Sequence, residues 1–141
     1  MRAVLDSCVA LKWVLPETGT PIAVRLRNEF RRGIHDLIAP DVFIIEIAHS
    51  LTRAERRGII QPPAAKRRLK NILSYPPVFH PYLSLVARAL DISSSFRQGA
   101  YDCLYVALAE REGCELVTSD QKLVNNLQAS FPFITPLDSL P

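Results

Sequence analysis

Strand-length apolar runs alternate with stretches of helical periodicity along this 141-residue chain, and that alternation leaves few folds open. Arg2 to Leu5 reads as a short buried strand and Ile34 to Ala39 as a second. Val78-Phe79 is a weak third, Leu116-Val117-Thr118 a fourth, and Phe133-Ile134-Thr135 a last short one. Between the first two, Ser7 to Leu15 has helical spacing and is closed by Pro16. Thr20-Pro21 then offers a hydroxyl at a cap position and a proline at the first helical one, for a helix that stops at Gly33. Pro40-Asp41 opens a long helix ending near Gly58, and Gln61-Pro62-Pro63 opens another that Tyr75-Pro76-Pro77 breaks. Pro81 to about Ser93 reads as helix, with a break at Ser93-Ser94-Ser95. Ala100 to Glu112 is a helix capped by Gly113, and Asp120 to Gln128 is the last. Such an order predicts a short parallel sheet covered on both faces, a three-layer α/β/α sandwich in one domain over residues 1–141. The helical pair from Asp41 to Ser74 should project from it as a hairpin.

Four carboxylates stand where that pattern calls for apolar residues. Asp6 ends the first strand, and Asp120 follows the fourth. Glu46 interrupts the run Val42 to Ala48, and Asp102 lies in a helix that is apolar nearly all round until Glu110. Ionised carboxylates leave water at a cost of several kcal/mol unless a cation or donors compensate. Four of them on four segments suggest acids gathered around something positive, of which a divalent metal ion is the simplest. Asp6 and Asp120 both arrive at the C-terminal edge of the sheet, where open α/β folds bind ligands. An acid at a helix start is also a good cap, and Asp102 could equally serve the helix dipole or a buried ion pair. Glu46 flanks the apolar stripe of its helix, with Ser50, Arg53 and Arg57 following on the same flank, so a solvated helix edge is its plain alternative.

Charge is unevenly spread. Between Arg53 and Lys70 lie seven basic residues against one acid, Glu55, a segment charge of +6 in a chain whose total is +3. A basic cluster on an otherwise acidic chain suggests a polyanionic partner such as RNA, or else two solvated helix faces. Arg53, Arg57, Arg67 and Arg68 are the candidates to hold an RNA backbone, with Lys12 a weaker one. Cys8, Cys103 and Cys114 are odd in number and lack C-x-x-C spacing, which excludes a disulfide framework or a structural zinc site as the organising feature. Cys8 and Cys103 neighbour Asp6 and Asp102, but hard cations prefer oxygen to thiolate. His35, His49 and His80 lie away from the acidic motifs and read as structural or surface residues. No apolar run approaches the ~18–20 residues that span a bilayer, and no cleavable signal pattern is present, so no membrane partner is expected and the cytoplasm is the expected compartment.

Taken in order, Val4-Leu5-Asp6-Ser7, Glu46 in an apolar helix, Tyr101 to Ala109 around Asp102, and Leu116-Val117-Thr118-Ser119-Asp120 resemble the PIN-domain ribonucleases. The stretch Asp6 to Trp13 and the compact length are most similar to the VapC toxins of prokaryotic toxin–antitoxin pairs. The resemblance covers essentially the whole chain and implies an α/β/α sandwich whose acids hold Mg²⁺ or Mn²⁺ for RNA cleavage. Asp6, Glu46, Asp102 and Asp120 fall on the family's acidic positions, and Thr118 on its hydroxyl position before the last acid. Cys8 departs from the Ser or Asn usual at its position. The resemblance also implies a homodimer and a cognate VapB-like antitoxin that occupies the active-site groove. The chemistry suits the residues, since carboxylate-bound Mg²⁺ activates water and neutralises charge on phosphorus. Two other classes stay open. One reads Asp6 as an aspartyl nucleophile in a phosphoryl-transfer domain, but Lys122 is poorly placed to support it. The other is a catalytically inactive PIN-like module that binds RNA or protein.

Overall fold

The structure, a computed structural model, describes residues 1–141. Five strands form one sheet in the order β3-β2-β1-β4-β5, with every neighbouring pair parallel. They are β1 (Arg2–Leu5), β2 (Asp36–Pro40), β3 (Val78–His80), β4 (Glu115–Thr118) and β5 (Ile134–Pro136). The helices are α1 (Ser7–Leu11), α2 (Thr20–Arg31), α3 (Val42–Arg56), α4 (Ala64–Leu73), α5 (Val86–Phe96), α6 (Ala100–Glu112) and α7 (Gln121–Leu127). Val4 pairs with Ile38 on one side and Leu116 on the other, so β1 is central and buried on both faces. A strand in that position must be a continuous apolar run, as Ala3-Val4-Leu5 is. The α/β/α layering follows, with helices closing both faces of the parallel sheet.

Helix α6 packs across β1, β2 and β4, and its residues Cys103 to Ala109 are all buried. Its position over the middle of the sheet explains why it has no polar face until Glu110. Gly113 ends it with φ of 62°, the left-handed conformation that glycine tolerates best. Helices α3 and α4 pack on each other as a hairpin. Glu55 joins them, its Oε2 accepting from the Ala65 amide at 3.0 Å, so the one acid of the basic segment serves the start of α4.

Three local expectations differ from the structure. Regular helix ends at Leu11, and the chain to Leu15 continues in turns that let the Trp13 indole donate to the Ala23 carbonyl at 2.9 Å. The cap of α2 is Gly19, with φ of 87°, one residue before the expected Thr20, whose hydroxyl donates instead to the Glu17 carbonyl at 2.7 Å. Ser93-Ser94-Ser95 does not break α5, which runs on to Phe96 before Arg97 turns left-handed at φ of 54°. The Ser93 hydroxyl donates to the Gln98 carbonyl at 2.6 Å, so serine here stabilises the helix end it was expected to cause three residues earlier.

Candidate active site

The sheet order reverses between β1 and β4, and the crevice beyond the C-terminal ends of these two parallel strands is the expected ligand site. Asp6 leaves β1 there and is buried. Its backbone amide extends the ladder to the Val117 carbonyl at 3.1 Å, which fixes its direction. From β4, the wholly buried Thr118 donates its hydroxyl to Asp6 Oδ2 at 2.7 Å and accepts from the Asp120 amide at 3.0 Å. One hydroxyl thus ties two strand ends together. Asp120 caps α7, with Oδ1 accepting from the amides of Lys122 and Leu123 at 3.0 and 3.2 Å. Asp6 makes no such cap bond to α1.

The helices bring two more acids. Glu46 of α3 accepts from the hydroxyl of Tyr105 on α6 at 2.6 Å. Asp102, in the first turn of α6, accepts from the Gln98 amide at 2.8 Å, and Gln98 is itself held by Asn126 at 3.0 Å. Neither Tyr105 nor Gln98 stood out in the sequence. Tyr105 reads there as one more apolar residue of α6, and only its buried position makes its hydroxyl a group that must find a partner.

Asp6, Glu46 and Asp102 are held above the ordinary carboxylate range, partly by acidic neighbours. Burial pushes Asp6 up to about 6, with repulsion from Asp102 and Asp120 adding to it against the Thr118 hydrogen bond. Burial likewise pushes Glu46 up to about 7, with Asp6 and Asp102 contributing. Asp102 is raised by burial and by Asp120. The protein's ion pairs all lie elsewhere, at Arg2–Glu112, Lys12–Glu17, His35–Glu29, Arg88–Glu110 and Arg111–Glu112. No side-chain cation of this chain therefore neutralises the acids. As they stand, no three His, Cys, Asp or Glu side chains converge closely enough to hold an ion, because each acid is turned to its own donor. Hard oxygen donors with uncompensated charge fit Mg²⁺ or Mn²⁺, which bind through one or two carboxylates and keep much of their water, better than they fit a closed four-ligand zinc site.

Other candidates are placed differently. Lys12 is buried and donates to the Thr18 carbonyl at 2.6 Å and to Glu17 at 3.3 Å, so it is not the free phosphate contact expected. Arg68 donates to the Val14 carbonyl and ties α4 to the turns after α1, so its guanidinium is partly engaged by the fold. Arg53, Arg57 and Arg67 are exposed. The Cys8 thiol accepts from the Ser119 amide at 3.4 Å, and burial pushes it far up. His35 is paired with Glu29, and His80 lies 3.2 Å from Arg111. His49, however, lines a groove of about 480 Å³ with Ser7, Glu46, Ser50 and Tyr101. Its spacing of three from Glu46, one helical turn, was the signal that could have placed it there.

The Tyr105–Glu46 bond is open to a direct check. Tyr105→Phe should cost about 1–3 kcal/mol at pH 8, where Glu46 is ionised, because a hydrogen bond to a buried charge is lost. Urea denaturation at pH 8 measures it, and an unchanged midpoint would remove Tyr105 from the site.

A PIN domain model matches residues 3–126. The chain is 27% identical over 138 residues to ribonuclease VapC3 of Pyrobaculum aerophilum, covering 96% of this chain and 100% of that protein. It is 32% identical over 124 residues to ribonuclease VapC12 of Mycobacterium tuberculosis, covering 87% and 90%. Among solved structures, the fold is shared with PAE2754 of Pyrobaculum aerophilum at a TM-score of 0.71 and 22% identity, over 99% of this chain and 94% of the other. It is shared also with VapBC2 of Rickettsia felis bound to a promoter DNA fragment, at 0.67 and 13% identity, over 96% and 97%.

Proposed function

The chain belongs to the PIN-domain family, among its VapC ribonucleases, and on that premise we propose that it is a divalent-metal-dependent endoribonuclease acting as a single domain over residues 1–141. The observation that carries the metal dependence is the set of carboxylates Asp6, Glu46, Asp102 and Asp120, mutually repelling and without a protein cation, at the switch point of the sheet. Mg²⁺ or Mn²⁺ held by these residues would supply activation of water and charge neutralisation on the scissile phosphate. The chain's own part is to aim the acids. Thr118 orients Asp6, Tyr105 orients Glu46, and Gln98 orients Asp102. No protein nucleophile is required. The predicted products carry a 5′-phosphate and a 3′-hydroxyl, and 2′,3′-cyclic ends on the fragments would contradict hydrolysis of this kind. The rival reading, a catalytically inactive RNA- or protein-binding module, draws on the acids' failure to converge as they stand. It predicts no fragments at all.

Arg53 and Arg57, exposed at the end of α3 beyond the Glu46 groove, with Arg67 on α4, hold the RNA backbone in this reading. Each phosphate contact to a single strand should add about 0.7 to the slope of log affinity against log salt. The double variant Arg53→Ala, Arg57→Ala should flatten that slope by about 1.4, measured by fluorescence anisotropy across a salt series. An unchanged slope would show that these arginines face solvent only.

Relatives solved as VapBC2 of Rickettsia felis and as a toxin–antitoxin complex of Klebsiella pneumoniae support a cognate VapB-like antitoxin as partner, silencing the enzyme by covering its groove. A homodimer is supported by an apolar hollow of about 370 Å³ beside the site, where Ile45, Tyr82, Leu90 and Tyr101 are exposed on α3 and around α5 and α6. No helix is long and apolar enough to cross a membrane. On this reading the enzyme works in the cytoplasm, where RNA is its substrate.

A further inference from the structure

Beside the acids, a second hollow of about 190 Å³ opens at the C-terminal edge of the sheet. Lys12, Thr118, Ser119, Gln121, Leu137 and Asp138 are among its walls, so polar side chains stand beside apolar surface. Thr118 belongs to both places, since its hydroxyl holds Asp6 while the residue walls the hollow. An RNA strand with its scissile phosphate at the acids therefore has this hollow within reach of a neighbouring nucleotide.

The charges decide what part of a nucleotide it suits. Lys12 is the only cation in the lining, and it is already paired with Glu17 and with the Thr18 carbonyl. Asp138 is an exposed carboxylate with no hydrogen-bond or ion-pair partner in the protein. Lys12 is offset by Glu17 and Asp138 stands unpaired, so a phosphate meets the repulsion of Asp138. A neutral group with donors and acceptors on one edge is favoured instead, and in single-stranded RNA that group is a splayed-out base. Two of the three Lys12 N–H bonds are used, which leaves one donor. A carboxylate takes two adjacent donors, and among the four bases guanine offers them, at N1 and the 2-amino group, beside an acceptor at O6. Ser119 and Gln121 add further hydrogen-bonding capacity around the rim.

We infer that this hollow is a guanine-reading subsite, in which Asp138 accepts from N1–H and the 2-amino group and Lys12 donates to O6. The inference rests on the ribonuclease reading and adds a base preference next to the cleaved bond. Its test is a binding measurement with the full chain in EDTA, so that no cleavage intervenes. Heptamers of uridine carrying one guanine, one adenine or one inosine serve as probes. The guanine RNA should bind at least about fivefold tighter than the adenine RNA. Inosine, which lacks the 2-amino group, should fall between them. Asp138→Asn should erase the preference, and because Asp138 is exposed the variant should fold, as a thermal melt will show. Equal binding of the three probes, or a preference that Asp138→Asn keeps, overturns the subsite. Cleavage of the same RNAs in Mg²⁺ or Mn²⁺ is followed in parallel. Guanine-selective binding with no cleavage would leave base reading in place and sink the nuclease instead.

Discussion

Asp6→Asn should reduce RNA cleavage on the order of a thousandfold and, at the same time, make the metal-free protein more stable at neutral pH. The first effect follows from removing a charge that the ion and the developing transition state both need, a loss of several kcal/mol. The second follows from burial. Asp6 is buried, its carboxyl is pushed up to about 6, and no cation pairs with it, so its ionised form is a net cost to the fold. Asparagine keeps an acceptor for the Thr118 hydroxyl while discarding the charge. A gain of about 1–2 kcal/mol is expected, or ~2–6 °C in melting temperature for a domain this size. A structural role for Asp6 would give the opposite sign. Loss of activity together with loss of stability would therefore count against the site.

The same charges set the pH dependence. Asp6 is raised to about 6, Glu46 to about 7, and Asp102 is raised as well, whereas in the unfolded chain all three return to ordinary carboxyl values near 4. Between roughly pH 4 and 7 these three groups thus bind more protons in the folded chain than in the unfolded one, and the stability they contribute falls as pH rises through that window. Above about pH 8 the cost is fully present and the curve flattens. A divalent cation reverses the trend, because it binds the ionised acids and gains affinity as they lose protons. Melting temperatures with and without Mg²⁺ should therefore be close at pH 5 and well separated at pH 8, by several degrees at millimolar metal. A cation-induced shift that is equal at both pH values would show that these four groups are not the ligands.

Much of this arrangement was legible in the chain, and what was hidden has a physical reason. Strand and helix order came from local patterns, because a central strand such as Ala3-Val4-Leu5 must be apolar on both faces and a buried helix such as α6 must be apolar all round. The acids stood out against the same patterns. Their supports did not. Thr118 reaches Asp6 across 112 residues of sequence, and Tyr105 reaches Glu46 across 59, distances over which periodicity carries no information. Charge composition likewise could not tell an arginine facing solvent from one spent on the fold. Arg67 and Arg68 are neighbours in sequence, yet Arg67 is exposed while Arg68 is tied to the Val14 carbonyl. His49 was discounted because it stands outside the acidic motifs, although one turn of α3 carries it into the Glu46 groove.

The central claim is that Asp6, Glu46, Asp102 and Asp120 serve metal-dependent cleavage of RNA. Its most direct test is incubation of purified protein with total cellular RNA in Mg²⁺, Mn²⁺ or EDTA, alongside Asp102→Asn. Asp102 is the most telling position, since it is the one charged residue of α6 before Glu110. Discrete fragments with either metal, absent in EDTA and absent with the folded variant, are the result predicted. Fragments that persist in EDTA, or that Asp102→Asn produces as readily as the unaltered chain, would contradict it.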